Sequence, residues 1–367
     1  MALGQAEKSS TETPAITTVI PTYRRPRLLR RAVASVLSQT RRDLTVLVCD
    51  NASGDETSSV VGELAKEDPR VRYSCQPENV GIARNFEAGM RAVQTPYFSC
   101  LADDDLLLPG FYQEAIDVLE REPSVMLFAA TTILANFDGT LAGLTLKNWQ
   151  PGKYDPPAGL YGMIRNGCPN WTSIVFRREL LSLVGFLDLD TGTAADDDFL
   201  LRIAARHSFI VSKKPGGVFF VNPESAGRRT CLTQLLSQRS KTMQNFSDLP
   251  EQYRAEALRL FEPNIVPRLF VHGRRAALEG DRAEALATAR MLEKCAGPMP
   301  AAKIKLLVAC DRLGLRNLVR FGATATRFVR NQGSLSALRK KRAYQEIIDR
   351  ALNELREKFR ADCVLNQ

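Results

Sequence analysis

The chain changes its hydrophobic period as it runs. Short apolar stretches at 16–20, 44–50, 71–74, 97–101 and 125–134 are bounded by Pro, Asn, Asp or Gly and read as buried strands. Between them the spacing turns helical. Leu28, Leu29, Ala32, Val33, Val36 and Leu37 predict a helix over 27–37, behind a Pro26 suited to a first turn. Ser53 or Asp55 is a candidate N-cap for a helix through Ala65, and further helices are predicted over 82–93 and 109–121. Strand–helix alternation with such short connections predicts an α/β fold, a mostly parallel sheet covered by helices on both faces. Ligands bind beyond the carboxyl ends of the strands in such sheets. Here those ends carry Pro21-Thr22-Tyr23, Asp50-Asn51 and Asp103-Asp104-Asp105.

Farther along, residues 138–172 are rich in Gly, Pro, Asn and Asp and read as a long loop. A strand over 173–176, a helix over 178–184 stopped by Gly185, a helix over 194–205 and a strand over 217–221 follow. Past Ser225 the strand signal disappears. Segments 232–246, 251–261, 266–278, 282–295, 302–313, 315–329 and 336–359 read as amphipathic helices. The expected organisation is a short leader over 1–14, an α/β domain over 15–228 and an all-helical region over 229–367.

Charge follows this division. Residues 1–225 hold 23 basic and 27 acidic side chains, whereas 226–367 hold 27 basic and 14 acidic, so the excess of +9 lies wholly in the second part. The chain has no run of 18 apolar residues and no apolar core of a signal peptide near Met1, which predicts a cytoplasmic protein without a spanning helix. Eight cysteines form no Cys-x-x-Cys pair and are expected to be buried reduced thiols. With only His207 and His272 present, zinc sites built on histidine and Ser-His-Asp triads are disfavoured. Acid–base chemistry therefore falls to carboxylates.

Four constellations could carry it. Asp103, Asp104 and Asp105 follow a buried strand, where three adjacent carboxylates are costly unless a hard cation such as Mg²⁺ or Mn²⁺ neutralises them. A solvated acidic turn ahead of the next helix is the plainer alternative. Asp50 at a strand tip can accept hydrogen bonds from a base or ribose, or merely open the helix after it. Arg84, in the first turn of a helix after Asn79-Val-Gly81, can face a diphosphate or form a surface ion pair. Asp196, Asp197 and Asp198 open another helix, where the dipole favours carboxylates and one facing a cleft can remove a proton. An N-cap and an Asp198–Arg202 pair explain Asp198 but leave two acids over.

In this order the pieces resemble family 2 inverting glycosyltransferases of the GT-A fold, from about Ile16 to Ser225. Val19-Ile-Pro-Thr-Tyr-Arg24 is similar to the family's opening strand and turn, and Cys49-Asp50-Asn-Ala-Ser-Gly-Asp55 to its nucleotide-contacting segment. Asn79-Val-Gly-Ile-Ala-Arg84-Asn85 resembles the stretch with a basic nucleotide contact, and Asp103-Asp104-Asp105 the Asp-x-Asp metal motif. Val184-Gly-Phe-Leu-Asp188 and Asp196-Asp-Asp198-Phe-Leu-Leu-Arg202 resemble the segments around the base.

The resemblance implies a metal-dependent transferase moving a sugar from a nucleoside-diphosphate donor, UDP-linked by preference, to a hydroxyl acceptor. It implies a role in cell-surface polysaccharide, glycolipid or other glycoconjugate synthesis. Asp105, with Asp103, would hold Mg²⁺ or Mn²⁺. Pro21, Thr22, Tyr23, Asp50, Arg84, Asp103 and Asp104 would hold the donor. Asp196 aligns with the base, with Asp197 and Asp198 as fallbacks. The family often has Glu where Ala195 stands and His where Asn222 stands, which weakens the expected metal shell. Trp171, with Asn170, is a candidate acceptor contact, since aromatic rings stack on sugars; a ring covering the core edge is the alternative.

The basic helices suit peripheral contact with an anionic membrane, notably 315–329 and Arg339-Lys-Lys-Arg342, which fits a lipid-linked acceptor at the inner face of a membrane. Oligomerisation and cover for the acceptor cleft are the other uses. A sugar-nucleotide-binding or glycan-binding protein without catalysis is the second functional reading. A nucleic-acid binder is disfavoured by the lack of any basic motif interleaved with aromatics, and a dinucleotide enzyme by Ile20-Pro-Thr-Tyr23, which lacks a Gly-rich turn.

Overall fold

The computed structural model describes residues 14–222, 230–313 and 335–358. Strands β1 (Ile16–Thr22), β2 (Leu44–Asp50), β3 (Val71–Cys75) and β4 (Tyr97–Cys100) match the first four apolar runs. They are followed by β5 (Leu106–Leu107), β6 (Val125–Ala135), β7 (Leu141–Leu144), β8 (Gly152–Tyr154), β9 (Ile174–Arg177) and β10 (Ser208–Phe220). Among the described residues these form one sheet in the order β3-β2-β1-β4-β9-β6-β10-β5, with β7 on β6 and β8 on β10. The β3-β2-β1-β4 half is parallel throughout, so strands are buried on both faces, and all seven residues of β1 are buried. On the other side β9 runs antiparallel to β4 and β6 while β6 and β10 are parallel, giving the mostly parallel sheet the pattern predicts.

Helices α1 (Pro26–Leu37), α2 (Thr57–Glu67), α3 (Ile82–Arg91) and α4 (Phe111–Arg121) connect these strands. The next are α5 (Ala158–Asn166), α6 (Leu180–Leu183) and α7 (Ala195–Ala204). Beyond the sheet lie α8 (Leu232–Asn245), α9 (Glu251–Phe261), α10 (Ile265–Glu279), α11 (Arg282–Ala296), α12 (Pro298–Arg312) and α13 (Leu335–Lys358). The leader, residues 223–229 around the expected boundary, and the helix predicted over 315–329 lie outside the described residues.

Three local expectations change. β1 continues through Pro21 to Thr22, because β4 pairs only as far as Val19 and the missing N–H falls where that edge has no ladder partner. The supposed loop over 138–172 contains β7, β8 and α5, organised by Trp149, Leu160 and Met163, which are buried in the main core. Strand β10 starts at Ser208, nine positions before the predicted start, and its register shifts around Pro215 let Lys213 and Lys214 turn out to solvent. Cys49 and Cys100 are buried as expected, but Cys75, Cys231 and Cys295 are exposed.

The basic helices share the core of the sheet. Phe246, Leu249 and Ala257 pack in one apolar cluster with Trp149 and Phe199. Ile348, Ala351 and Leu352 of α13 close over Leu106, Ile133 and Phe220. Leu269, Ala289, Leu292 and Ile304 give α10–α12 a further core of their own.

Helix α3 meets the sheet through Gly89, where an added Cβ would stand 2.3 Å from Val19 Cγ1 and 2.8 Å from Cys49 Sγ. The helix propensity gained by Gly89→Ala, up to about 1 kcal/mol, is smaller than the overpacking cost of about 1–3 kcal/mol. Urea unfolding of Gly89→Ala should therefore show a net loss of stability; a gain would place α3 farther from β1 than described.

Candidate active site

The carboxyl ends of β1, β2 and β4 converge because the strands are parallel and in register, with Thr22 opposite Asp50. Two turns at this edge are tied together: Arg24 donates its backbone N–H to Ser53 Oγ at 2.9 Å and its Nε–H to Ser53 O at 3.0 Å. Arg24 and Ala52 both hold positive φ, 54° and 58°, a conformation that costs non-glycine residues energy and tends to be kept at functional edges. Asp50 is buried and accepts from Ser53 N–H, Ser53 Oγ and, at 2.6 Å, Tyr73 Oη. Burial and Asp50 together push the Tyr73 phenol well up. Asn51 fastens the next turn by donating to Asn79 Oδ1 and accepting from Val80 N–H, each at 2.9 Å. Arg84 then projects, exposed, from the first turn of α3. Tyr23 is exposed as well, with Arg24 over its ring.

Of the first acid triplet, Asp103 accepts from Thr22 Oγ1 at 2.8 Å. One nitrogen, Arg25 Nη1, lies 3.2 Å from Asp103 Oδ1 and 3.0 Å from Asp104 Oδ2. Asn222 Nδ2 donates to the same Asp104 oxygen at 3.3 Å. Asp105 faces the other way. Its two oxygens accept from Thr172 Oγ1 at 2.6 Å and from the Phe220 backbone N–H at 3.0 Å, and it is fully buried. Burial, then the charge of Asp104, raises the Asp105 pKa well above the carboxylate range. Asp103 rises to about 6 for the same two reasons, opposed by Arg25 and Thr22.

Asp105, expected to lead the cation site, thus has one protein donor on each oxygen and ties β10 to the 170–172 turn, while the oxygens that share the charge of Arg25 belong to Asp103 and Asp104. All the donors there are oxygen-bearing groups, which suits a hard divalent cation shared with phosphate oxygens. Among the described residues no cluster of three or more His, Cys, Asp or Glu is arranged around a metal position.

The second triplet opens α7. Asp198 turns inward to Arg202 Nε at 2.9 Å and accepts from Asn245 Nδ2 at 3.0 Å. Its predicted pairing with Arg202 holds, and Asn245 adds a second partner to the same carboxylate. Asp197 is paired with Arg268 at 2.8 Å. Asp196 is exposed, and its only hydrogen bond within the described residues comes from the Asp197 backbone N–H. Although the residue is exposed, its carboxyl is desolvated by the protein packed around it; that, and next the charge of Asp197, raise its pKa to about 7, opposed by the Asp197 backbone N–H and Arg268.

One short segment joins the triplets. Thr172 bonds Asp105, while Cys168 Sγ contacts Asp197 O at 3.9 Å. Four residues of chain span at most about 14 Å, so this segment ties Asp105 to the start of α7. Trp171 sits between them, but its ring is wedged against Phe86, Phe176 and Phe199. Asn170 caps the turn by accepting from Thr172 N–H. Both residues of the expected acceptor contact are thus packed or capped within the protein, and Trp171 Nε1 is a buried donor without a hydrogen-bond partner among the described residues. Sequence reasoning missed Arg25, Thr172, Asn245 and Arg268. Only Arg25, adjacent to a strand end, carried a local signal.

Comparison with known proteins follows the same outline. Residues 17–183 match the family model described as Glycosyl transferase family 2, a span that ends before Asp196. A Campylobacter jejuni protein named GalNAc(5)-diNAcBac-PP-undecaprenol beta-1,3-glucosyltransferase is 36% identical over 98 residues, 26% of this chain and 32% of its own. Chondroitin synthase of Pasteurella multocida is 31% identical over 128 residues, 35% of this chain and 13% of its own length. The aligned part is thus a third or less of these curated relatives. Among solved structures, S. aureus TarS 1-349 in complex with UDP-GlcNAc superposes with a TM-score of 0.57 at 13% identity, covering 82% of this chain and 92% of that one. The mannosyltransferase PcManGT of Pyrobaculum calidifontis, with GDP-Man and Mn²⁺, gives 0.51 at 19% identity over 94% and 88%. These likenesses establish the GT-A fold.

Raised carboxylates make the ligand-free site pH-sensitive. A carboxyl raised from 3.8 to about 6 stabilises the fold below its unfolded pKa, and this is lost as pH rises through about 6. Relative to Asp103→Asn, which does not titrate there, the wild-type Tm should fall between pH 4 and pH 7, by the equivalent of about 3 kcal/mol at most. A constant difference across that range would show that Asp103 ionises normally.

Proposed function

Residues 17–183 match the glycosyl transferase family 2 model, and from that premise we propose that this chain acts as a member of the family, transferring a sugar from a nucleoside-diphosphate donor to an acceptor hydroxyl with inversion. The observation that carries the reading is the asymmetry of the second triplet. Two of its carboxylates are held by cationic or amide side chains, and the third, Asp196, is exposed with a pKa near 7.

In this reading the donor lies across the ends of β1, β2 and β4. Asp50, Thr22 and the 79–84 turn surround its nucleoside, and Arg84 and Tyr23 remain free to move onto it. UDP is the preferred nucleotide, as in the complex of the S. aureus structure. Asp103 and Asp104 would hold Mg²⁺ or Mn²⁺, with Asn222 beside them. Once bound, such a cation screens the diphosphate and eases its departure as a Lewis acid. Arg25 supplies positive charge at the same oxygens from the protein itself.

Asp196 accepts the proton of the acceptor hydroxyl as that oxygen forms its bond to the anomeric carbon. The bond from that carbon to the diphosphate breaks on the opposite face, and its electron pair leaves with the nucleoside diphosphate. A single displacement inverts the centre. Asp197, fixed by Arg268, keeps negative charge beside Asp196 and so keeps it basic. The acceptor is a glycan or a lipid-linked sugar, with the product entering polysaccharide or glycoconjugate synthesis. Among the described residues no helix is long and apolar enough to cross a membrane.

Asp196→Asn should lower transfer by roughly 10²–10⁴-fold while UDP-sugar binding, followed by calorimetry, stays within about twofold. In the wild type the rate should rise with pH through about 7, since only the deprotonated carboxyl accepts a proton. Undiminished turnover by the variant would remove Asp196 as base. Donor binding with neither transfer nor donor hydrolysis would favour the sugar-binding alternative. Separately, Asp104→Ala should abolish the Mn²⁺-dependent part of UDP binding, read as a thermal shift. Equal Mn²⁺ enhancement in that variant would overturn the cation assignment.

A further inference from the structure

Beside the second triplet, the basic helices build a groove that the reaction described above leaves unused. A cavity of about 320 Å³ lies between α5, α7 and helices α8–α10, with Cys168, Asp197, Arg239 and Arg268 in its wall. A wider one of about 880 Å³ continues along α10 and shares Thr193, Leu235, Pro267 and Arg268 with the first. The donor-side acids line neither cavity.

The lining has two characters. Arg268, Val271, Arg275 and Leu278 recur three or four positions apart and so share one face of α10. Five arginines (165, 239, 268, 274 and 275) oppose only Asp197 and Glu279 across the two cavities. Several of these guanidiniums have donor capacity in hand. Arg274 is exposed and bonds to nothing within the described residues. Arg275 Nε is buried without a hydrogen-bond partner, its nearest carboxylate oxygen being Glu279 Oε2 at 3.9 Å. Arg239 spends one nitrogen on the carbonyls of Phe261 and Glu262, at 2.6 and 2.7 Å. Burial and then the like charge of Arg268 push the Arg239 pKa down to about 10, so the two cations repel across the cavity. An anion placed between them would relieve that repulsion. Interleaved with these charges, Phe270 and Leu278 line the wider cavity, and Val271 is 67% exposed in it. A soluble anionic polymer would need no such apolar strip.

We propose that this groove anchors the acceptor, and that the acceptor carries a phosphate or diphosphate joined to an apolar chain. The phosphate sits among Arg239, Arg268 and Arg274, the chain lies along Phe270, Val271 and Leu278, and the attached sugar reaches Asp196. This rests on the transferase reading, because Asp196 gives the groove its direction. The anchor itself is testable without turnover.

The probe is farnesyl diphosphate, titrated calorimetrically into the full chain below its micellar concentration, with farnesol and inorganic pyrophosphate as separate arms. Farnesyl diphosphate should bind, and farnesol and pyrophosphate should each bind at least about tenfold more weakly. Arg274→Glu and Arg268→Ala should each weaken it by about tenfold or more, while Arg274→Lys retains binding and all three keep wild-type affinity for UDP. Arg274 is exposed, so its replacement leaves folding intact even if Arg268→Ala does not. The anchor is overturned if farnesyl diphosphate fails to bind, if Arg274→Glu leaves its affinity unchanged, or if either partial probe binds as tightly. Loss of UDP binding in the wild type, with farnesyl diphosphate bound as expected, would instead sink the transferase reading and leave the groove standing.

Discussion

Six carboxylates in two triplets must each be held by compensating partners, and much of this fold is arranged around that electrostatic constraint. Asp103, Asp104 and Asp105 are all buried, and buried like charges are tolerated only with compensating partners. The compensation is spread over the sequence. Arg25 and Thr22 come from the β1–α1 edge, Thr172 from the segment before β9, and Phe220 N–H from the end of β10. Arg31, buried in α1 and stacked on Phe220, donates to the Asp104 carbonyl at 2.6 Å. Removing the triplet would leave four distant segments without the contacts that set their relative positions.

The second triplet depends on the basic helices in the same way. Asn245 bridges Asp188 and Asp198, Arg268 holds Asp197, and Gln238 pairs with Thr193. The charge asymmetry of the chain therefore has a local component: the acid-rich part carries the triplets, and the base-rich part supplies counter-charge to one of them. The two parts share apolar clusters as well, so the helical region is bound to the sheet by packing and by charge together.

The sequence made the parallel half of the sheet legible because burial on both faces writes unbroken apolar runs. Asp50, Asp103–105 and Asp196–198 were legible because adjacent acids at element ends are locally conspicuous. Their individual roles were not. Which oxygen of Asp105 meets Phe220 depends on a pairing across 115 positions, and no local pattern encodes it. Segment 138–172 misled for a related reason. Its turn-forming residues dominate the composition, while its order comes from Trp149 packing on Tyr154 and Phe209. Arg268 had the weakest signal of all, one arginine among many on a basic helix, distinguished only by what it touches.

Hydrogen-bond accounting then separates the acids by function more sharply than motif likeness can. Asp105 has both oxygens filled by protein donors, and Asp198 is held by a guanidinium and an amide. Asp197 is paired with Arg268, and Asp103 with Asp104 shares Arg25. Asp196 is left, its carboxylate accepting within the described residues from the Asp197 backbone N–H. A base has to exchange protons with an incoming group, which is why the proposed role falls on the member with the fewest protein donors. The charge that raises the Asp196 carboxyl is that of Asp197, and the ion pair with Arg268 holds that carboxylate in place beside it.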